Sequence, residues 1–135
     1  MATLKSRIAL VVIFAVLCAW TARSQSSNRS VWDGVYTEEQ AARGQAVVSL
    51  SCAQCHGPAD FTGDSFLSAW EASTALDLFS QLQKTMPMDT PGSLPPQDYA
   101  DIVAYFFRAN AFPAGKGELP TDREQLKLIR IEQKK

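Results

Sequence analysis

The sequence has a single histidine, His56, so no site in this chain can use two imidazole ligands. It also lacks internal repeats and low-complexity runs, and its 135 residues suffice for one small domain only. Charged residues make up 20% of the chain, whereas apolar residues make up 46%. That charge is too low for a disordered chain and the apolar fraction is ordinary for a globular protein, so a folded domain is expected.

A helix that spans a bilayer needs about 20 apolar residues in a row, and the sequence has no run of that length. The longest run, Ile8 to Trp20, has thirteen residues and follows two basic residues, Lys5 and Arg7. Ala22-Arg23-Ser24 then provides the small residues that precede a cleavage site. This pattern predicts a signal peptide over residues 1–24 and export of the mature chain, with a retained membrane anchor as the alternative.

The charge of the mature chain argues against nucleic acid as a partner. Loss of Lys5, Arg7 and Arg23 with the signal peptide leaves ten basic and 14 acidic residues, a net charge of −4. Such a chain has no basic patch with which to neutralise phosphates.

Two segments on either side of residues 52–56 carry the signals of helices. Thr37 fits the N-cap of a capping box, and the helix behind it is predicted to run from Glu38 to about Leu50. A second helix is predicted to begin after Thr74 and to end before Pro87, because the residue ahead of a proline disfavours the helical region. Residues 57–66 between them are predicted to be a loop, since they contain a proline and two glycines.

A third helix has the strongest periodic signal in the chain. Pro96 suits the first helical position, and apolar side chains follow at helical spacing, namely Tyr99, Ile102, Val103 and Phe106. Phe112-Pro113-Ala114-Gly115 ends this helix, and residues 122–131 are a candidate for a last short one. No segment of the mature chain is predicted to be a strand, so the predicted fold class is all-α.

The motif Cys52-Ala53-Gln54-Cys55-His56 predicts covalent attachment of haem. Two thiols at this spacing can add across the two vinyl groups of haem, and the next imidazole can then bind the iron from one face. A structural zinc site would need four ligands, and too few remain once Cys18 leaves with the signal peptide. A thioredoxin-like redox pair would lie beside a βαβ unit, which this sequence does not contain.

The second axial position of the iron must then be filled by another side chain or stay open. Met86 and Met88 lie about thirty residues after His56, on either side of Pro87. Either thioether could reach the opposite face of the haem from such a loop, whereas the alternative is that both methionines fill gaps in the core. A thioether ligand would favour reduced iron and raise the potential.

Together these features resemble the class I c-type cytochrome family, and in particular its small periplasmic bacterial monohaem members. The resemblance implies an all-α, cytochrome c-like helical fold wrapped around one covalently bound haem c. The resemblance covers residues 31–115, approximately. The predicted organisation of the mature chain is a leader segment at residues 25–36, the cytochrome domain at 37–115 and a C-terminal extension at 116–135. In the family the first and last helices cross, here near Gly44 and Tyr105.

The resemblance also implies the ligands of the haem. Cys52 and Cys55 would form the thioethers and His56 would be the proximal iron ligand. The axial methionine of the family directly precedes a proline, which makes Met86 the distal ligand and Met88 the alternative.

The function implied by the resemblance is one-electron transfer in the periplasm, without chemical change of a substrate. The expected partners are redox proteins, with a dehydrogenase such as a quinoprotein dehydrogenase as donor and an oxidase or another protein as acceptor. No stable membrane insertion is expected after cleavage. The alternatives are a haem-based gas sensor or peroxidase with an open sixth iron position, and a subunit docked permanently on a dehydrogenase.

Overall fold

The computed structural model describes residues 28–134, so the predicted signal peptide lies outside the described residues. The described chain forms five α-helices and a two-stranded parallel sheet, in the order β1 (Arg29–Ser30), α1 (Glu38–Ser51), α2 (Gly63–Trp70), α3 (Ala75–Thr85), α4 (Pro96–Ala109), α5 (Arg123–Lys127) and β2 (Ile129–Arg130). The predicted all-α class is confirmed, with this one short strand pair added. None of the helices between residues 28 and 134 has both the length and the apolar character needed to cross a membrane.

The starts of α1 and α3 follow from side-chain caps. The Thr37 hydroxyl accepts a hydrogen bond from the Gln40 N–H at 3.1 Å and so satisfies one free donor of α1. At α3 the Thr74 hydroxyl accepts from the Asp77 N–H at 3.3 Å, while the Asp77 carboxylate accepts from the Thr74 N–H at 2.8 Å. Both predicted helix starts are therefore confirmed.

The predicted loop at residues 57–66 is wrong over most of its length. Pro58–Phe61 is a 3₁₀ turn and α2 begins at Gly63. Pro58 is the first residue of the 3₁₀ turn, where its missing N–H is not needed for a hydrogen bond. Gly63 is the first residue of α2, where its φ of +69° lies before the regular part of the helix. Both residues therefore begin a helical element here. The loop was predicted because proline and glycine disrupt a helix when they lie in its interior.

Helices α1 and α4 cross in close contact at Gly44. A Cβ atom on Gly44 would lie 1.8 Å from the carbonyl oxygen of Asp101, so no other residue fits at this crossing. Gly44 thus meets α4 at Asp101, within about one helical turn of the expected Tyr105. Arg43 fastens it, because its guanidinium donates to the buried Asp101 carboxylate at 2.8 and 3.1 Å.

Both ends of the described chain fold onto the helices. Val31, Val35 and Tyr36 are buried near the N-terminal end, and residues 116–134, here called the C-terminal strap, bury Leu119, Leu126, Ile129 and Ile131. The fully buried Gln40 of α1 holds the strap, since its side chain donates to the Leu119 carbonyl and accepts from the Leu119 N–H. The predicted helix at 122–131 is shorter than expected, because the chain turns into β2 after Leu128.

Candidate functional site

A single large cavity gathers the residues that the sequence analysis singled out. Its volume is about 990 Å³, at the upper end of the roughly 300–1,000 Å³ that cofactor sites occupy. It lies between the end of α1, the 3₁₀ turn, α2, α3 and the start of α4. Its inner wall is apolar and includes Phe66, Leu78, Leu82, Ile102 and Phe106.

One wall of the cavity is a tight turn that follows α1. The Cys52 carbonyl accepts hydrogen bonds from the N–H groups of both Cys55 and His56, at 3.1 and 3.0 Å. This turn brings two free thiols and one imidazole to the same wall. Burial raises the pKa of the Cys52 thiol, whereas the Cys55 side chain is exposed.

The imidazole of His56 is held between an aromatic stack and a carboxylate. Its ring lies 5.5 Å from the ring of Phe61, which stacks on Phe106 of α4 at 4.6 Å. The Asp60 carboxylate lies 3.5 Å from the Nδ1 atom of His56 and accepts from the Gly57 N–H at 2.9 Å. A partner at the second ring nitrogen of an iron-binding histidine fixes the orientation of the ring and raises its basicity.

Residues 86–94, here called the methionine loop, form another part of the cavity lining. Met86 stands directly after α3, and its side chain is half-buried and lines the cavity. Met88 also lines the cavity, but its side chain is 76% exposed. The hydroxyl of the buried Tyr99 donates to the Met86 carbonyl at 2.7 Å and joins the loop to α4.

The rim of the cavity carries negative charge. Among the described residues that line it, Asp60 and Asp89 are acidic, and neither lysine nor arginine occurs. Leu50 and Met88, the two large apolar side chains with the highest exposure in the described chain, both lie on this rim. The mouth of the cavity is therefore acidic with exposed apolar side chains.

The structure brings all five predicted site residues to this one cavity, with Cys52, Cys55 and His56 on one wall and Met86 and Met88 on the methionine loop. Their roles as haem ligands stay a prediction. Sequence reasoning missed Asp60 and Tyr99 as parts of the site. Asp60 has a signal, its position four residues after His56, whereas no spacing links Tyr99 to Met86.

The comparisons with known proteins point to one family. A family model described as cytochrome c oxidase, cbb3-type, subunit III matches residues 39–106, half of the 135-residue chain. That span includes α1, the Cys52–His56 motif, the methionine loop and most of α4. No curated protein and no solved structure gives a significant match. The chain therefore belongs to this family of c-type cytochrome domains, which bind haem and transfer electrons.

Proposed function

We propose that this chain is a periplasmic one-haem cytochrome c that carries single electrons between redox proteins and changes no substrate itself. The observation that carries the proposal is that the Cys-x-x-Cys-His turn and the methionine loop both line one largely apolar cavity of cofactor size. Two thiols, one imidazole and one thioether form a donor set that can attach a haem c covalently and keep its iron low-spin.

Each of these residues has a separate task in the proposal. Cys52 and Cys55 bind the haem covalently, which retains it in a domain too small to enclose it fully. His56 and Met86 would be the two protein ligands of the iron, the same in both oxidation states. The haem supplies the one-electron chemistry of its iron. The Met86 thioether and the apolar walls favour the reduced form, because they stabilise the lower charge.

The rim of the cavity indicates what kind of surface the redox partners present. Asp60 and Asp89 carry negative charge there, and the exposed Leu50 and Met88 offer apolar contact. A partner with a small apolar patch surrounded by lysine and arginine would match this rim. Such contacts are small and transient, and their association rates fall steeply with ionic strength.

The first test is a visible spectrum with a redox titration of the purified holoprotein, combined with its intact mass. We expect one covalently bound haem, one reversible one-electron step and a mature chain that begins at Gln25. A mass that includes residues 1–24 would support the retained anchor. A protein without covalent haem would contradict the proposal.

The distal ligand is tested by Met86→Ala with Met88→Ala as its matched control. Methionine-ligated ferric haem has a weak long-wavelength band that arises from the sulfur–iron bond. We expect Met86→Ala to abolish this band and Met88→Ala to retain it. The opposite pattern would make Met88 the ligand.

The remaining candidates have their own signatures in the wild-type protein. Absence of the sulfur band together with rapid binding of carbon monoxide to the reduced protein would favour a gas sensor or a peroxidase. Elution of the native protein with a much larger complex in gel filtration would favour a permanently docked subunit. A free carrier is expected to elute as a small protein.

A further inference from the structure

We propose that the Tyr99 hydroxyl is the positioning group that presents Met86, and not Met88, to the haem iron. This inference rests on the proposed function, because it assigns a role in holding one ligand of that site. It concerns a residue that no sequence motif of the site contains.

Tyr99 is a fixed point in the fold. Its side chain is fully buried in the first turn of α4, and its ring packs edge-on against Phe79 of α3 at 6.1 Å. The hydroxyl donates to the Met86 carbonyl at 2.7 Å. Because the ring cannot move within this packing, the hydrogen bond fixes the methionine loop relative to α4.

The peptide groups around Met86 are held on both sides. Its N–H donates to the Leu82 carbonyl at 2.8 Å, and its carbonyl accepts from Gly92 at 3.4 Å as well as from Tyr99. These bonds set the direction in which the Met86 side chain leaves the backbone, and that side chain is half-buried in the cavity.

Met88 has no comparable support. Its backbone N–H and carbonyl make no hydrogen bond to any residue between 28 and 134, and its side chain is 76% exposed. Of the two methionines that flank Pro87, only Met86 has its backbone anchored to the helices. The anchoring therefore accounts for a choice that the sequence left to family resemblance.

Tyr36 provides a matched control elsewhere in the fold. Its side chain is also fully buried, and its hydroxyl donates to the Phe112 carbonyl at 2.6 Å, again just before a proline. Tyr36 does not line the cavity, and its hydroxyl donates to Phe112 and not to the methionine loop. Tyr36→Phe thus removes an equivalent hydrogen bond without touching the proposed ligand.

The test compares Tyr99→Phe and Tyr36→Phe as ferric holoproteins titrated with imidazole, which competes with the methionine for the iron. Each phenylalanine retains the ring and removes one neutral hydrogen bond. The net contribution of such a bond corresponds to about a 2- to 12-fold change in the equilibrium between bound and displaced methionine. We expect the apparent Kd for imidazole to fall by that factor in Tyr99→Phe, with a weaker sulfur band. In Tyr36→Phe both properties should match the wild type, and thermal unfolding checks that both variants are folded.

Two results would overturn the inference alone: an unchanged imidazole affinity in Tyr99→Phe, or an equal change in Tyr36→Phe. The second would mean that any lost buried hydrogen bond loosens the ligand. A wild-type protein without the sulfur band would instead contradict methionine ligation itself, so the wild-type spectrum distinguishes the two failures.

Discussion

Gly44→Ala tests the helix crossing on which the cavity depends. At an ordinary interior helix position this change stabilises a protein by about 0.8–1 kcal/mol. Here the added Cβ would lie 1.8 Å from the Asp101 carbonyl oxygen and 2.3 Å from its carbonyl carbon. Ordinary contact begins at 3.4 Å, so the backbone of α4 must move by roughly 1.5 Å. Both groups are backbone, and no side-chain rotation can relieve the overlap.

The expected result is a net loss of about 2 kcal/mol or more in the free energy of unfolding. Overpacking typically costs about 1–3 kcal/mol, and more where backbone must shift, which outweighs the gain in helix propensity. For a domain of this size each kcal/mol lowers Tm by about 4–8 °C, so a drop of roughly 10 °C is expected for the holoprotein. Circular dichroism of thermal unfolding measures it directly.

Gly117→Ala is the control, because a Cβ atom on Gly117 meets no atom within 4 Å. We expect its Tm to stay close to that of the wild type, as surface substitutions rarely exceed about 0.5 kcal/mol. A Gly44→Ala protein as stable as the wild type would refute the close crossing of α1 and α4.

Two further substitutions test contacts outside the cavity. Asp101→Ala removes the carboxylate that accepts hydrogen bonds from Arg43 and Gln97. We expect the free energy of unfolding in urea titrations to fall by about 1–2 kcal/mol and no more, because Arg43 is half exposed and its ion pair is screened by solvent. An unchanged urea midpoint would contradict this contribution. Gln40→Ala leaves the buried N–H and carbonyl of Leu119 without partners and should release the C-terminal strap, so that limited trypsin digestion cuts it faster than in the wild type. Gln45→Ala, which removes only an exposed contact with Arg108, is the control and should be cut at the wild-type rate.

The parts of the fold that the sequence predicted are those with local signals. Caps at Thr37 and Thr74 and the apolar spacing of α4 depend on neighbouring residues only, and all three helices formed where expected. Helix α2 was not predicted because a glycine destabilises the interior of a helix but is tolerated at its first residue, where Gly63 stands.

The details that local signals could not supply depend on how distant elements meet. The contact of Gly44 with Asp101, one helical turn before Tyr105, is set by the packing of two whole helices. The bond between Tyr99 and Met86 joins α4 to the methionine loop across 13 residues of sequence. The cysteines and the histidine could be singled out because their chemistry is contained in five consecutive residues.

The pairing of β1 with β2 has a consequence for the order in which the domain assembles. Arg29 pairs with Ile129, and the indole N–H of Trp32 donates to the Glu132 carbonyl at 2.9 Å, so each contact spans a hundred residues. Closing a loop of that length costs roughly 4 kcal/mol of chain entropy. The N-terminal segment consequently lacks its β partner until the last residues of the domain have been added.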